Sequence, residues 1–219
     1  YIASANTMKK LEKEAYDEKY GLFTGPSVFN DGIAGYEEPI YEPTNKSSYV
    51  LDHPGSKTIK CLSTNCIYFR AYELLADMAR VLGDKKNIKE YKQKASIQKE
   101  NIRKYLYDKK QIRLNYLIDG NGKVHAYQEG LGISFAILFQ VVTPQEAKKI
   151  INGVYMGKYG LPSIYPAFKR FSKEHPGRHN QIVWPFVNGF WADACSKSGR
   201  DDIFMKEMMN LADLAINKG

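Results

Sequence analysis

Apolar residues recur at helical spacing in seven segments of the chain, and broad apolar faces alternate with narrow ones. The broad faces lie in residues 58–82, 128–142 and 183–196. A broad apolar face is typical of a helix that is buried on more than one side, so we predict that these three helices are inner ones. The other four segments are polar over more of their surface: residues 3–18, 85–107, 144–152 and 201–217. We expect the last three of them to be outer helices that cover the inner ones.

Strand signals are weak, and the junctions between helices are those of helical hairpins. Leu114, Tyr116 and Ile118 recur at every second position, as in a strand, before the turn sequence DGNG, which predicts one short strand. Gly83 follows the second helix as a C-terminal glycine commonly does, and the sequence TPQE is a typical start for the fifth helix. We therefore predict an all-α fold of helical hairpins, with residues 1–219 forming part of one domain.

Three long loops precede the three inner helices: residues 19–57, 108–127 and 153–182. In antiparallel hairpins these loops all fall at one end of the assembly. Long loops rich in glycine, aromatic and polar residues are more often functional sites than simple connections. We therefore expect the three loops to form the mouth of an active site. Its polar and aromatic candidates are Asp31, Tyr36, Glu37, Glu38, His125, Gln128, Glu129, Arg178, His179, Asn180, Trp184 and Asn188.

The net charge of +8 does not gather into the basic patch that a nucleic-acid binder needs. Many of the lysines lie in residues 85–110, where they alternate with Glu90, Glu100 and apolar residues as on the solvated face of a helix. No apolar run reaches the roughly 18 residues that a membrane span needs. We therefore predict no nucleic-acid partner and no membrane partner. The chain has no signal-peptide pattern and begins inside a helix-like pattern, so we expect further residues before Tyr1.

The cysteines and histidines form no recognisable metal or cofactor motif. The three cysteines lack disulfide or metal-ligand spacing, and we predict that Cys61 and Cys66 are buried thiols in a helical run. His175 and His179 are four residues apart, but a Pro-Gly pair between them excludes a regular helix. The sequence also lacks a GxSxG nucleophile motif and a glycine-rich phosphate loop. We predict no metal and no cofactor.

The chemistry that remains at the expected mouth is that of carboxylates among aromatic residues, and it suits glycoside hydrolysis. In that reaction one carboxyl group protonates the leaving oxygen and a second activates water. Aromatic rings stack on the apolar faces of sugars, while Asn, Gln and Arg side chains bind hydroxyl groups. Trp184 stands at the start of the sixth helix and is expected to face the mouth, whereas Trp191 is expected to pack between helices.

Three stretches together resemble the six-hairpin, (α/α)6-barrel glycoside hydrolases, which include glucoamylase, trehalase, α-rhamnosidase and the family 63 glucosidases. They are GLFTGPSVFNDGIAGYEE at 21–38, QEGLGISFAILF at 128–139 and RHNQIVWPFVNGFWADA at 178–194. The resemblance implies that the seven predicted helices are part of a twelve-helix barrel, corresponding to its fifth to eleventh helices. It also implies that the remainder of the barrel is a necessary partner of this chain.

The resemblance implies that Asp31 is the general acid, because the acid of these enzymes lies in the loop between the fifth and sixth helices. Glu37 and Glu38 are alternatives for this role, and an Asx turn before Gly32 is the structural alternative for Asp31 itself. An acid must be protonated when it acts. We expect aromatic residues of the same loop to bury the Asp31 carboxyl and so favour its protonated form: Phe23, Phe29 and Tyr36.

The resemblance further implies an inverting reaction, with the two carboxyl groups roughly 6.5–9.5 Å apart and water between them. The general base would follow the eleventh helix, beyond Gly219. Glu129 is expected to bind substrate hydroxyls or to orient water, unless it serves only as a favourable carboxylate at a helix N-terminus. The full set of predicted substrate-binding residues is Phe29, Tyr36, Glu37, Glu129, Arg178, His179, Trp184 and Asn188. The implied substrate is an oligosaccharide or other glycoside, and the family favours a periplasmic or extracellular location.

Two other function classes remain open from the sequence. A six-hairpin lyase or sugar epimerase would use tyrosine and histidine as acid and base, and a mouth without opposed carboxylates would favour it. A non-catalytic helical binding module is the second alternative. The lack of a 30- to 45-residue repeat argues against that alternative.

Overall fold

Seven α-helices account for about half of the chain in the computed structural model, which describes residues 1–172, 174–175 and 177–217. Five of the seven begin and end within about three residues of the predicted boundaries, and α2 and α4 differ more. The helices are α1 (Ile2–Ala15), α2 (Leu62–Val81), α3 (Lys85–Leu106), α4 (Gly130–Leu138), α5 (Pro144–Gly153), α6 (Pro185–Lys197) and α7 (Asp201–Asn217).

The three broad apolar helices pack side by side, as predicted for inner helices. α4 contacts both α2 and α6, while α3 packs on α2 and α7 packs on α6. Every α4 residue from Gly130 to Ile137 is buried. On α3, by contrast, buried residues such as Tyr91 and Ile102 form a narrow stripe on a charged helix. The structure therefore confirms the pairing of inner and outer helices for α2 with α3 and for α6 with α7.

Short strands are more numerous than the all-α prediction allowed. Nine two-residue strands occur in the described residues, and they link the loops rather than form a separate sheet layer. The strands are β1 (Tyr16–Asp17), β2 (Leu22–Phe23), β3 (Lys60–Cys61), β4 (Tyr107–Asp108), β5 (Arg113–Leu114), β6 (Leu117–Ile118), β7 (Val124–His125), β8 (Gln128–Glu129) and β9 (Ile164–Tyr165). The pairs are β1–β2, β4–β5 and β8–β9, and the one three-stranded sheet in this part of the chain has the order β3-β6-β7.

Two of these strands explain why the inner helices start later than predicted. β3 pairs with β6, so the backbone of Lys60 and Cys61 is engaged before α2 can begin at Leu62. Cys61 therefore lies in a strand and not in the expected helical run. β8 likewise pairs with β9, which delays α4 to Gly130. The prediction of buried thiols is confirmed, because Cys61 and Cys66 are both buried and free.

The long loops rest on a hydrophobic core of their own. Most of the buried apolar residues in this second cluster come from the loops at 19–57, 108–127 and 153–182: Ile33, Tyr36, Ile40, Val50, Tyr116, Leu117, Ile164 and Phe168. Isolated backbone pairs such as Gly32 with Tyr49 and Pro162 with Val183 connect segments of these loops. A core and backbone pairing beneath the loops hold them in fixed positions.

The N-terminal ends of α2, α4 and α6 meet at one end of the helix row, which we call the rim. The backbone N–H of Ser63, in the first turn of α2, donates to the carboxylate of Glu129, which precedes α4. Glu129 also shares a narrow cleft with Trp184, the residue before α6. The predicted convergence of the three long loops at one end is therefore confirmed. No helix in the described part of the chain has both the length and the apolarity to cross a membrane.

Candidate active site at the rim

The segment at residues 26–36, which we call the carboxylate loop, carries Asp31 and closes on its own tyrosine. Tyr36 is fully buried. Its hydroxyl donates to the carbonyl oxygen of Asn30 over 2.8 Å and accepts from the backbone N–H of Ser27 over 2.9 Å. Burial raises the pKa of Tyr36 well above its usual value, so the phenol stays protonated and keeps both bonds.

A second tyrosine braces the same loop from outside. The side-chain amide of Asn30 donates to the Tyr116 hydroxyl over 3.1 Å, and that hydroxyl donates to the carbonyl oxygen of Gly35 over 3.0 Å. Between these anchors Phe29 has a φ of 67°, a left-handed conformation that is uncommon for a residue with a side chain. Such strain persists only where surrounding structure enforces it, and it is common at functional sites.

Glu129 fastens the first part of the carboxylate loop to the helix row. The Ser27 hydroxyl donates to one Glu129 oxygen, and the backbone N–H of Ser63 donates to the other over 3.1 Å. The Ser63 hydroxyl in turn accepts from the backbone N–H of Val28 over 3.1 Å. Glu129 is only 1% exposed, and this burial raises its pKa to about 7 in spite of its hydrogen bonds.

Asp31 lies on the other side of the loop, at an open cleft of about 380 Å³. Its side chain is 74% exposed, and its Oδ1 lies 3.0 Å from Nε2 of His179. The cleft is lined by Asp31, Gly32, Ile33, Ala34, Ser48, Tyr49, Arg178 and His179. It therefore offers a carboxylate, an imidazole, a guanidinium and a phenol to any molecule that enters it.

The His179 ring connects this open cleft with the narrow one beside Glu129. It is buried and stacks on the Trp184 indole, with ring centroids 5.0 Å apart and an interplanar angle of 17°. Burial lowers the pKa of His179, and the nearby Arg178 charge lowers it further, whereas Asp31 acts in the opposite direction. The imidazole is therefore mostly uncharged at neutral pH.

The structure brings six of the nine predicted site residues to this region. Phe29, Glu129 and Trp184 line the narrow cleft, and Asp31, Arg178 and His179 line the open one. Phe29 is half-exposed and meets the ring of Phe186 edge to face at 4.3 Å, so these two rings form an aromatic wall beside the narrow cleft.

Three predicted substrate-binding residues are turned away from both clefts. Tyr36 is buried within the carboxylate loop, as described above. Asn188 is fully buried, and its amide donates to the carbonyl oxygen of Leu161 over 3.2 Å and to the Glu207 carboxylate. The Glu37 carboxylate contacts His125 and accepts from the Tyr127 hydroxyl. These three side chains bond to other parts of the protein. Their positions do not support direct contact with a substrate.

The expected burial of Asp31 is also wrong. Phe23 packs into the helix core and Tyr36 into the loop core, so neither shields the carboxyl. Glu129, expected at the open mouth, is instead the enclosed carboxylate. The physical reason is that each aromatic ring buries more apolar surface in a core than at a polar cleft.

A polar cluster missed by the sequence reasoning lies behind the rim. His125 Nε2 lies 2.9 Å from Asp119 Oδ2, and its Nδ1 lies 3.1 Å from Glu37 Oε2. The Tyr127 hydroxyl donates to the other Glu37 oxygen over 2.6 Å. His125 was a candidate for the mouth, but its partners lie up to 88 residues away in the chain, and no local pattern marks them. Among the described residues, no group of three or more His, Cys, Asp or Glu side chains could hold a metal ion.

Comparison with known proteins agrees with this architecture. Residues 37–219 match the family model described as the mannosylglycerate hydrolase MGH1-like glycoside hydrolase domain. No curated protein has a significant sequence match to the chain.

Three solved structures show the fold at low sequence identity. The chain is similar to the GH63 mannosylglycerate hydrolase from Thermus thermophilus, with 19% identity and a TM-score of 0.60 over 76% of this chain and 40% of that one. It is similar to the GH78 rhamnosidase of Bacillus sp. GL1, with 16% identity and a TM-score of 0.63 over 94% of this chain and 18% of that one. The neutral trehalase from Saccharomyces cerevisiae gives 13% identity and a TM-score of 0.69, over 97% of this chain and 51% of that one.

The chain thus spans between about a fifth and about a half of the length of these three proteins. The family match covers α2 to α7 and the loops that hold Glu129, His179 and Trp184, and it begins just after Asp31. On this evidence the chain belongs to the family of mannosylglycerate hydrolase MGH1-like glycoside hydrolase domains.

Proposed function

We propose that the protein hydrolyses a glycosidic bond and that Asp31 is its proton donor. The observation that carries the proposal is the position of Asp31, a solvent-accessible carboxyl at an open cleft and in contact with His179. Membership of a glycoside hydrolase family supports the reaction class. The carboxyl is held on a braced loop, which suits a group that must meet its substrate in one geometry.

The proposed reaction begins with transfer of a proton from Asp31 to the glycosidic oxygen. As the bond between that oxygen and the anomeric carbon breaks, the sugar gains oxocarbenium character and Asp31 becomes a carboxylate. A water molecule attacks the anomeric carbon from the opposite face, which inverts its configuration. A second carboxylate takes the proton of this water, at roughly 6.5–9.5 Å from the first. In the six-hairpin enzymes that this sequence resembles, that base follows the helix equivalent to α7.

The proposed substrate is a glycoside whose sugar ring lies against the aromatic wall. The half-exposed Phe29 and its neighbour Phe186 present apolar surface to the sugar, and Arg178 in the open cleft presents donors to its hydroxyl groups. The similar solved proteins include a mannosylglycerate hydrolase, a rhamnosidase and a trehalase. From the substrates in these names we infer that this protein acts on a small glycoside or on the end of an oligosaccharide.

Aryl glycosides and small disaccharides assayed with the full-length protein test this proposal. Hydrolysis of at least one substrate is expected, and Asp31→Asn should lower kcat on it by about 10²- to 10⁴-fold. The control is Asp193→Asn, which removes an exposed carboxylate that pairs with Lys197 on α6 and should leave kcat unchanged. Unaltered turnover in Asp31→Asn would remove this residue from the acid role.

The stereochemistry of the product tests the inverting mechanism separately. Proton NMR of the first-formed sugar distinguishes the two anomers before they equilibrate. The opposite anomer from the substrate is expected. The same anomer would replace the inverting mechanism with a retaining one, while the hydrolase activity itself would stand.

A sugar lyase or epimerase is the second candidate, because Tyr49 and His179 line the same cleft as Asp31. These side chains could act as acid and base on the carbon beside a uronic acid carboxyl. Release of an unsaturated sugar from a uronate polymer, detected by ultraviolet absorbance, would favour this candidate. Family membership favours hydrolysis.

A further inference from the structure

The imidazole of His179 contacts both a glycine and a tryptophan. It stacks on Trp184 at 5.0 Å. It also lies so close to Gly32 that a Cβ at that position would come within 2.6 Å of the ring atom Cδ2 and 3.0 Å of Nε2. Both distances are shorter than normal contacts for a Cβ atom, so any larger residue at position 32 would displace the ring.

Gly32 is required here by this close approach and not by its backbone conformation. Its φ is −91°, which every residue can adopt. His179 has the unusual backbone, with a φ of 65°. A left-handed conformation at a residue with a side chain is unfavourable and persists where the surroundings impose it. The backbone of the loop at 153–182 is therefore held in an unfavourable conformation at the point where the His179 ring meets Gly32.

We propose that His179 is a positioning residue for Asp31, and that the contacts of its ring with Gly32 and Trp184 fix the direction in which the Asp31 carboxyl gives up its proton. The inference rests on the proposed acid role of Asp31. Nε2 of the enclosed ring lies 3.0 Å from Oδ1 of Asp31, so this oxygen is occupied by the imidazole. The transferred proton is then carried by Oδ2, the oxygen that the imidazole leaves unoccupied.

His179 keeps its own proton during the transfer. In this proposal the uncharged ring carries its proton on Nε2, which faces Oδ1 at 3.0 Å, and donates it there both before and after the proton on Oδ2 moves to the glycosidic oxygen. That hydrogen bond strengthens as negative charge develops on the carboxyl, because bonds to a charged acceptor are stronger than bonds to a neutral one. An interaction that is stronger in the transition state raises kcat and not substrate binding.

The charged and titratable groups around the ring are compatible with this role. Asp31, Arg178 and Tyr49 line the same open cleft as the ring. Burial and the Arg178 charge lower the pKa of His179, which keeps the ring uncharged at neutral pH. A charged imidazolium would hold Asp31 as a carboxylate and so oppose its function as an acid.

The leaving-group dependence of hydrolysis tests the proposal, because an acid catalyst matters most when the leaving group is a poor one. Phenyl and 2,4-dinitrophenyl glycosides of the preferred sugar serve as the poor and the good leaving group. In the full-length protein, His179→Gln should lower kcat by about 10- to 100-fold on the phenyl glycoside. It should change kcat on the dinitrophenyl glycoside by less than about threefold and leave KM similar on both. His175→Gln, at an exposed histidine, is the matched control.

Gly32→Ala is the second variant, since it displaces the imidazole but retains both Asp31 and His179. It should reproduce the selective loss on the phenyl glycoside, and the double variant with His179→Gln should lose little more than either single one. Gly189→Ala is its control, because a Cβ there meets no atom within 4 Å. Equal losses on both substrates would mean a merely structural role for His179. An increase of KM on both would mean sugar binding.

Asp31→Asn in the same assay separates the two proposals. If Asp31→Asn shows the selective loss and His179→Gln does not, the positioning role is wrong and the acid role stands. If neither variant shows it, the acid role of Asp31 fails, and with it the inference.

Discussion

The two carboxylates at the rim occupy opposite environments, although one loop joins them. Asp31 is 74% exposed at an open cleft, and Glu129 is 1% exposed. Asp31 contacts one histidine side chain, whereas Glu129 accepts hydrogen bonds from Ser27 and Ser63. Ser27 and Asp31 are only four residues apart in the carboxylate loop. The enclosed carboxylate thus anchors the loop, and the exposed one is presented by it.

This contrast separates two uses of an acidic side chain. A carboxyl with both oxygens bonded inside the protein stabilises a loop but cannot reach a substrate without breaking those bonds. A carboxyl with one oxygen bonded and one unoccupied is held in place and can still react. Stability measurements should therefore respond to Glu129, and activity measurements should respond to Asp31.

The largest expected effect on stability is the pH dependence that Glu129 imposes. Its pKa is about 7 in the folded protein, above the usual 4.5. Between these values the folded state holds a proton that the unfolded state has released, so the free energy of unfolding falls as the pH rises. The loss should amount to about 3 kcal/mol between pH 4.5 and pH 8. Glu129→Gln should abolish this part of the dependence, as measured by urea unfolding at both pH values.

Glu129→Gln is a close replacement, because its amide can donate to the Ser27 hydroxyl while its oxygen accepts from Ser63. Glu18→Gln, on an exposed surface, should retain the full pH dependence of the parent. If Glu129→Gln and the parent lost stability equally between the two pH values, Glu129 would not be the enclosed carboxyl described here.

A smaller effect is expected from the brace on the other side of the loop. Tyr36→Phe removes a hydroxyl that bonds Ser27 and Asn30, and it leaves their buried backbone groups without these partners. We expect a loss of about 2 kcal/mol in the free energy of unfolding. Tyr159→Phe, which changes a half-exposed tyrosine, should lose almost nothing. Equal midpoints of urea unfolding for the parent and Tyr36→Phe would show that the loop does not need this bond.

The sequence predicted the helices well because their signal is local. Apolar spacing identified α2, α4 and α6 as inner helices, and the capping box at Thr143 and Glu146 is present in the structure. The convergence of the three loops at one end was also predicted correctly, because it depends only on the order and direction of the helices. Strands of two residues have too few positions to produce a pattern, so all but the segment near Leu117 escaped prediction.

The site was only partly predictable, because its geometry depends on contacts between distant loops. Asp31, His179 and Trp184 were correctly expected to lie together. Asp31 was expected to be buried and Glu129 to meet substrate or water, whereas the structure exposes Asp31 and encloses Glu129. Which carboxyl is enclosed is decided by Ser27 and Ser63, which lie 102 and 66 residues from Glu129 in the chain. No spacing rule applied to a single sequence connects such positions.

The smallest expected effect on stability belongs to Asp31. Asp31→Asn should change the free energy of unfolding by no more than about 0.5 kcal/mol, because the side chain is exposed and an asparagine oxygen can still accept from His179. Urea unfolding at pH 7 measures this directly. A loss as large as that in Tyr36→Phe would make Asp31 a structural residue and weaken the contrast with Glu129.

The pH dependence of kcat/KM on a phenyl glycoside tests the central claim, that the exposed carboxyl is the proton donor. Activity that needs a protonated acid falls at high pH, as that acid ionises. The fall of kcat/KM at high pH should be absent from the residual activity of Asp31→Asn and present in Glu129→Gln. The opposite result, with the fall retained in Asp31→Asn and lost in Glu129→Gln, would make the enclosed carboxyl the acid and contradict the account.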